Sequence, residues 1–151
     1  MAWTNSKIFM AFVEDAFENT AALDLDTDTH KAALFDNTIT PSQTVATAST
    51  VYGAGVWASG GVSDATGWPA VGRNLASVTS GFSSNVYTFD AADTVSANNT
   101  TTLTNAYGAL IYDDTTGDQG ICYNYFGGAN SVTSGTFTIV WNASGIFTLT
   151  L

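Results

Sequence analysis

The chain has 151 residues, 45% hydrophobic and only 11% charged, with three Lys or Arg against thirteen Asp or Glu for a net charge of −10. That length suits one domain with a real core, and the charge balance argues against binding nucleic acid or an anionic membrane face. Roughly one residue in six is Thr, so the exterior is one of hydroxyls, amides and glycine, a surface more common in secreted proteins, adhesins and particle components than in metabolic enzymes.

The start, Met1-Ala2-Trp3-Thr4-Asn5-Ser6-Lys7, has no basic region followed by a long apolar run, so neither a signal peptide nor a membrane span is expected. A helix is predicted over about 6–18. Asn5 or Ser6 would cap it, and Ile8, Phe9, Phe12, Val13, Ala16 and Phe17 form one stripe at helical spacing. Glu14, Asp15 and Glu18 lie toward its C-terminus, where the macrodipole does not favour them. Asn19-Thr20 would end it. Asp24, Asp26 and Asp28 stand at alternate positions like the start of a calcium loop. However, the turn glycine and the bidentate Glu of such a loop would fall on Thr29 and Phe35, which favours a solvated turn.

Lys31–Phe35 reads as the first strand, and residues 42–52 carry no strong period. The Gly/Trp-rich region of about 53–73 is predicted irregular with one short strand. Its Trp57 and Trp68 have three readings: platforms for sugar rings, anchors for a neighbouring subunit, or the local core of an Ω-loop. Strands are predicted over 75–79 and 85–90, with Gly81-Phe82-Ser83-Ser84 as the turn between them. A further strand runs from about 100 to 112, then a hairpin turn at 115–118, a strand over 120–128, a Ser/Thr/Gly turn, and strands over 135–142 and 145–151. Phe137, Ile139 and Trp141 alternate with Thr136, Thr138 and Val140. Many short alternating strands and one amphipathic helix make the expected fold all-β: an antiparallel β-sandwich, the jelly roll being one form of it, filling residues 1–151 as a single domain.

Residues able to carry chemistry are few. His30 is the one histidine and Cys122 the one cysteine, so a triad has little to draw on, zinc lacks ligands, and no internal disulfide is available. Cys122 is expected inside the sheet and chemically quiet. Asp113, Asp114 and Asp118 flank the Thr115-Thr116-Gly117 turn and are read as solvated rather than as a carboxylate pair for sugar hydrolysis. No catalytic residue, metal or cofactor is expected, and the chain is read as not an enzyme.

The order of several segments carries a resemblance. Phe12-Val13-Glu14-Asp15 is followed by Lys31-Ala32-Ala33-Leu34-Phe35 and the Gly60-Gly61 region. Then come Gly108-Ala109-Leu110-Ile111-Tyr112, Cys122-Tyr123-Asn124-Tyr125-Phe126-Gly127 and Gly135-Thr136-Phe137-Thr138-Ile139. This resembles a group of small tailed-bacteriophage virion proteins encoded among head and neck genes. The resemblance implies a structural protein of the virion, assembled in the host cytoplasm. It implies a capsid decoration protein on the outer head surface, with a tail or neck protein as the alternative. Partners would be the major capsid protein or other virion proteins, and copies of the chain itself. Aromatics outside the alternating strands are the expected interface: Trp3, Phe9, Trp57 and Trp68. The competing function is a carbohydrate-binding module with Trp57, Trp68, Tyr123 and Tyr125 as ring platforms.

Overall fold

A computed structural model describes residues 3 to 150. Met1 and Ala2 lie outside the described residues, as does Leu151, which was expected in the last strand. The longest elements arise where the sequence is most apolar. Strand β8 (Thr101–Asp113) turns at 114–118 into β9 (Gln119–Gly135), and the two pair antiparallel from Asp113↔Gln119 to Thr101↔Gly135. On the other side of β8 lies β2 (His30–Phe35), in antiparallel register from His30↔Asp113 to Phe35↔Gly108. β1 (Lys7–Ile8) joins β9 opposite Tyr123 and Cys122. β3 (Gly61–Val62) and β4 (Arg73–Asn74) each pair with β2, completing a six-stranded sheet.

Two smaller sheets accompany it. β5 (Ala76–Ser83), β6 (Val86–Ala92) and β11 (Phe147–Thr150) form one, with β6 central, and β7 (Thr94–Val95) pairs with β10 (Thr138–Ile139) in the other. The fold is therefore β-rich, with three sheets and one N-terminal helix, α1 (Met10–Glu18). A continuous apolar cluster runs through it from Trp3 to Ile146. Gly108 makes one close approach possible: a Cβ there would lie 2.5 Å from the Trp3 ring and from the Asn124 carbonyl oxygen.

Several local expectations are corrected. The helix begins at Met10, not near residue 6, because the preceding residues pair with β9 instead. Ser6 Oγ accepts the Tyr125 N–H at 2.9 Å, and the Phe9 N–H donates to the Ile121 carbonyl at 3.1 Å. This satisfies the backbone and seats Phe9, which is fully buried. The turn between β5 and β6 is Ser84-Asn85, both in the left-handed region at φ 50° and 65°. β5 thus continues through Phe82, as expected when a two-residue hairpin sets the register. The turn predicted after Gly128 is absent, since β9 continues through it with register shifts against β8 at Ala106–Gly108 and near Leu103. The shifts near Leu103 add one residue on one strand, and that between Ala106 and Gly108 adds three on β9; each bends the ribbon without ending the ladder. The strand expected over 135–142 shortens to β10, and the 53–73 region holds two short strands, β3 and β4, rather than one. Asn19 ends α1 in the left-handed conformation, and Phe137 and Ile139 are buried while Thr136, Thr138 and Val140 face out.

Candidate functional site

The four expected interface residues do not face outward. Trp3 and Trp57 are 1% and 2% exposed, and Phe9 and Trp68 are sealed entirely. Trp3, Phe9 and Phe35 each pack edge-on or near edge-on against Trp57, at 5.0 to 6.1 Å between ring centres. The Trp3 indole N–H donates to the Asp36 carbonyl at 2.7 Å and that of Trp68 to the Ala32 carbonyl at 3.1 Å. A ring with no exposed surface cannot anchor a partner without leaving the core, so the reading of Trp57 and Trp68 as pieces of core prevails. The sugar platforms fare similarly: Tyr123 is also buried, and Tyr125 alone is half-buried, stacked on Trp3.

The three aspartates at 24, 26 and 28 organise backbone. Asp24 Oδ1 accepts the N–H groups of Asp26 and Thr27, Asp28 Oδ2 accepts that of Asp24, and Asp26 Oδ1 accepts both the N–H and the hydroxyl of Ser80. Among the described residues no group of His, Cys, Asp and Glu is arranged to hold a metal. Asp15, poorly placed for the helix dipole, instead ties the helix down. Its carboxylate accepts from the hydroxyls of Thr20 and Thr47 and from the Gln119 amide, and these bonds, that from Thr20 first, lower its pKa.

Asp113, read from sequence as solvated, is wholly buried beside His30, with His30 Nε2 3.8 Å from Asp113 Oδ2. Both atoms, and His30 Nδ1, have no hydrogen-bond partner. Burial holds His30 below its ordinary pKa, and burial together with the neighbouring Asp28 carboxyl pushes Asp113 up. The two side chains are closed to solvent, so no substrate reaches them in this conformation. Cys122 is likewise buried, its thiol pushed up by desolvation alone.

What the surface does offer is a groove of about 460 Å³ between α1, the 23–26 loop and the three-stranded sheet. Registry explains its floor. Ser80 lies opposite Phe89, Phe82 opposite Tyr87, Phe147 opposite Phe89 and Leu149 opposite Tyr87. Residues facing one another across antiparallel strands share a side, so these six make one face. α1 covers one end of it, where Phe12 packs edge-on against Phe147 at 6.2 Å. Toward the other end the face stays open. Phe82 is 62% exposed and leans on Tyr87 at 5.0 Å, while Phe17 on the helix is 75% exposed. Both rings line the groove, together with Val13, Leu23 and Leu25.

Sequence reasoning placed Phe17 on the core-covering stripe of the helix and Phe82 in a turn. The signal for Phe82 was the alternation Ser80, Phe82 against Tyr87, Phe89, which a two-residue turn at Ser84-Asn85 brings into register. No protein-family model, no curated protein and no solved structure matches the chain.

Proposed function

We propose that this chain is a non-enzymatic structural protein of a bacteriophage virion, decorating the outer surface of the capsid, and that the groove flanked by Phe17 and Phe82 is where it attaches. The observation that carries the attachment surface is the exposure of those two rings, 75% and 62%, on a groove whose lining is mostly aliphatic and aromatic, with Asp24, Asp26 and Ser80 as its polar members. Exposed apolar surface gathered in one place and rimmed by polar residues marks an interaction site. The virion role rests on the order of segments described under Sequence analysis. The acidic, hydroxyl-rich exterior suits it by keeping a crowded particle soluble. Repeated weak attachment across a lattice gains strength through effective concentration, without an active site. Contacts of Phe89 with His30, at 5.3 Å between ring centres, and of the Asn124 amide with the Ile146 carbonyl support reading the sheets as the layers of an antiparallel sandwich.

The test is retention on purified particles. Wild-type protein is expected to co-sediment with heads lacking their own copy, and Phe17→Ser or Phe82→Ser to be lost from them at unchanged melting temperature. Gold labelling on the neck or tail would move the protein to that alternative location. Equal retention of both variants would remove the groove from the attachment.

A further inference from the structure

The groove has a sign as well as a shape. Its apolar floor is bordered by Asp24 and Asp26, both exposed, and each carboxylate uses its Oδ1 for the local bonds described above, leaving its second oxygen for a partner. Glu14 and Glu18 stand exposed on the same helix as Val13 and Phe17. The three cations of the chain do not answer them. Lys31 Nζ lies 2.7 Å from Asp114 Oδ1, Arg73 Nε donates to the Val95 carbonyl, and Lys7 alternates with groove-lining Ile8 along β1.

We infer that the groove receives a segment of another protein in which an aromatic or large aliphatic anchor is flanked by Lys or Arg. The inference takes the groove as the attachment surface and so rests on the proposal above. The anchor would fill the floor between Phe12, Tyr87 and Leu149, and the cations would meet the carboxylate rim. Such an arrangement puts binding energy in the buried anchor and orientation in the charges around it. A second copy of this chain fits poorly. A two-fold contact sets the same patch against itself, which here brings acidic rim against acidic rim on chains of net charge −10. A small apolar molecule lodged on the floor would leave the outer rings of Phe17 and Phe82 facing water, whereas a chain segment laid across them covers both.

The experiment uses the full chain, labelled for amide NMR, and two synthetic 14-residue peptides with the same Leu-Phe-Leu centre, one flanked by Lys and one by Glu. The Lys-flanked peptide is expected to shift the amides of Leu25, Ser80, Phe82 and Tyr87 saturably. It should bind roughly tenfold more tightly than its Glu-flanked counterpart, with the difference shrinking in high salt. Phe82→Ser is expected to abolish the shifts, and Asp24→Asn with Asp26→Asn to bring the two peptides together. Equal affinity of the peptides for wild-type protein overturns the inference. So does concentration-dependent dimerisation that Phe82→Ser removes, since a second copy would then be the occupant. So does binding of N-phenylnaphthylamine in the groove with neither peptide displacing it. Peptide binding without particle retention would sink the virion reading and keep this inference; retention by Phe82-dependent contact with no preference for the Lys-flanked peptide would do the reverse.

Discussion

His30 and Asp113 face each other directly across β2 and β8, their nearest nitrogen and oxygen 3.8 Å apart, with no solvent at either side chain. At that distance they share no hydrogen bond, and burial penalises the charged form of each. The Asp113 carboxyl is pushed up to about 6 from 3.8, by burial first and the Asp28 carboxyl after it. A raised native pKa means the native state binds more protons than the unfolded state between those two values. The contribution is therefore favourable at low pH and lost as pH rises through about 6.

Asp113→Asn should consequently raise the melting temperature at pH 7.5, with the gain fading toward pH 4. The new amide oxygen can still accept the Thr115 and Thr116 N–H groups that Asp113 Oδ1 now accepts at 2.9 Å. His30 carries the opposite slope: its pKa is lowered by burial, so the unfolded state takes up the proton first and stability falls below about 6.5. Present in both proteins, it largely cancels in the difference. Melting curves across pH 4–8 decide this, and a loss greatest at pH 7.5 would mean that the pair is ionic in the native state.

Trp57→Ala and Trp68→Ala should each cost ~3–5 kcal/mol in denaturant unfolding, as for other large core truncations. Replacement by Phe separates them. The Trp68 indole N–H bonds the Ala32 carbonyl, whereas the buried Trp57 N–H has no partner. Trp57→Phe discards an unsatisfied donor and Trp68→Phe removes a hydrogen bond that is made, so the latter should be the more destabilising. Equal costs would contradict the assignment.

Cys122 should resist thiol reagents in the native protein, because it is buried and its thiol is held well above the ordinary value by desolvation. Labelling should proceed only as fast as the sheet opens and follow the unfolding rate in urea. Immediate modification without denaturant would refute this.

Gly72→Ala should destabilise by at least ~1 kcal/mol from backbone strain alone. Gly72 has φ +86°, and an added Cβ would strike the backbone of Ala32 and Ala33. β2 lies between β8 and the β3–β4 edge and has little room to retreat. An unchanged unfolding midpoint would show that the 69–72 turn relaxes freely.

Local pattern carried the helix stop at Asn19, the long β8 run and the buried face of Phe137 and Ile139, because each depends on neighbours in sequence. The fate of Trp57 and Trp68 was not legible that way, because turns rather than periodicity aim them. Asp64 Oδ2 accepts the N–H of Thr102 and its Oδ1 those of Gly67 and Thr66; together, Thr102 first, they draw its pKa down to about 2, and the Oδ1 bonds fold the short turn that swings Trp68 inward. An Asp two residues ahead of a Thr-Gly pair is a readable turn signal, but where the turn points depends on β8. The burial of Asp113 was hidden for the same reason: only the register of β2 on β8 sets it opposite His30. The groove was hidden because it is defined by what leaves it uncovered.

β1 lies at one end of the chain and pairs with residues more than a hundred positions later, Lys7 with Tyr123 and Ile8 with Cys122. A chain emerging from the ribosome thus holds Trp3 and Phe9 long before Tyr123 and Tyr125 exist to pack on them. The aromatic cluster cannot close until synthesis has passed β9. Until then its rings are surface that a chaperone or a neighbouring nascent chain can bind. Distant pairing of this kind slows folding, because loop closure must precede the contacts that reward it. Shortening the sequence separation between the β1 segment and β9 should therefore speed folding while leaving the finished protein much the same.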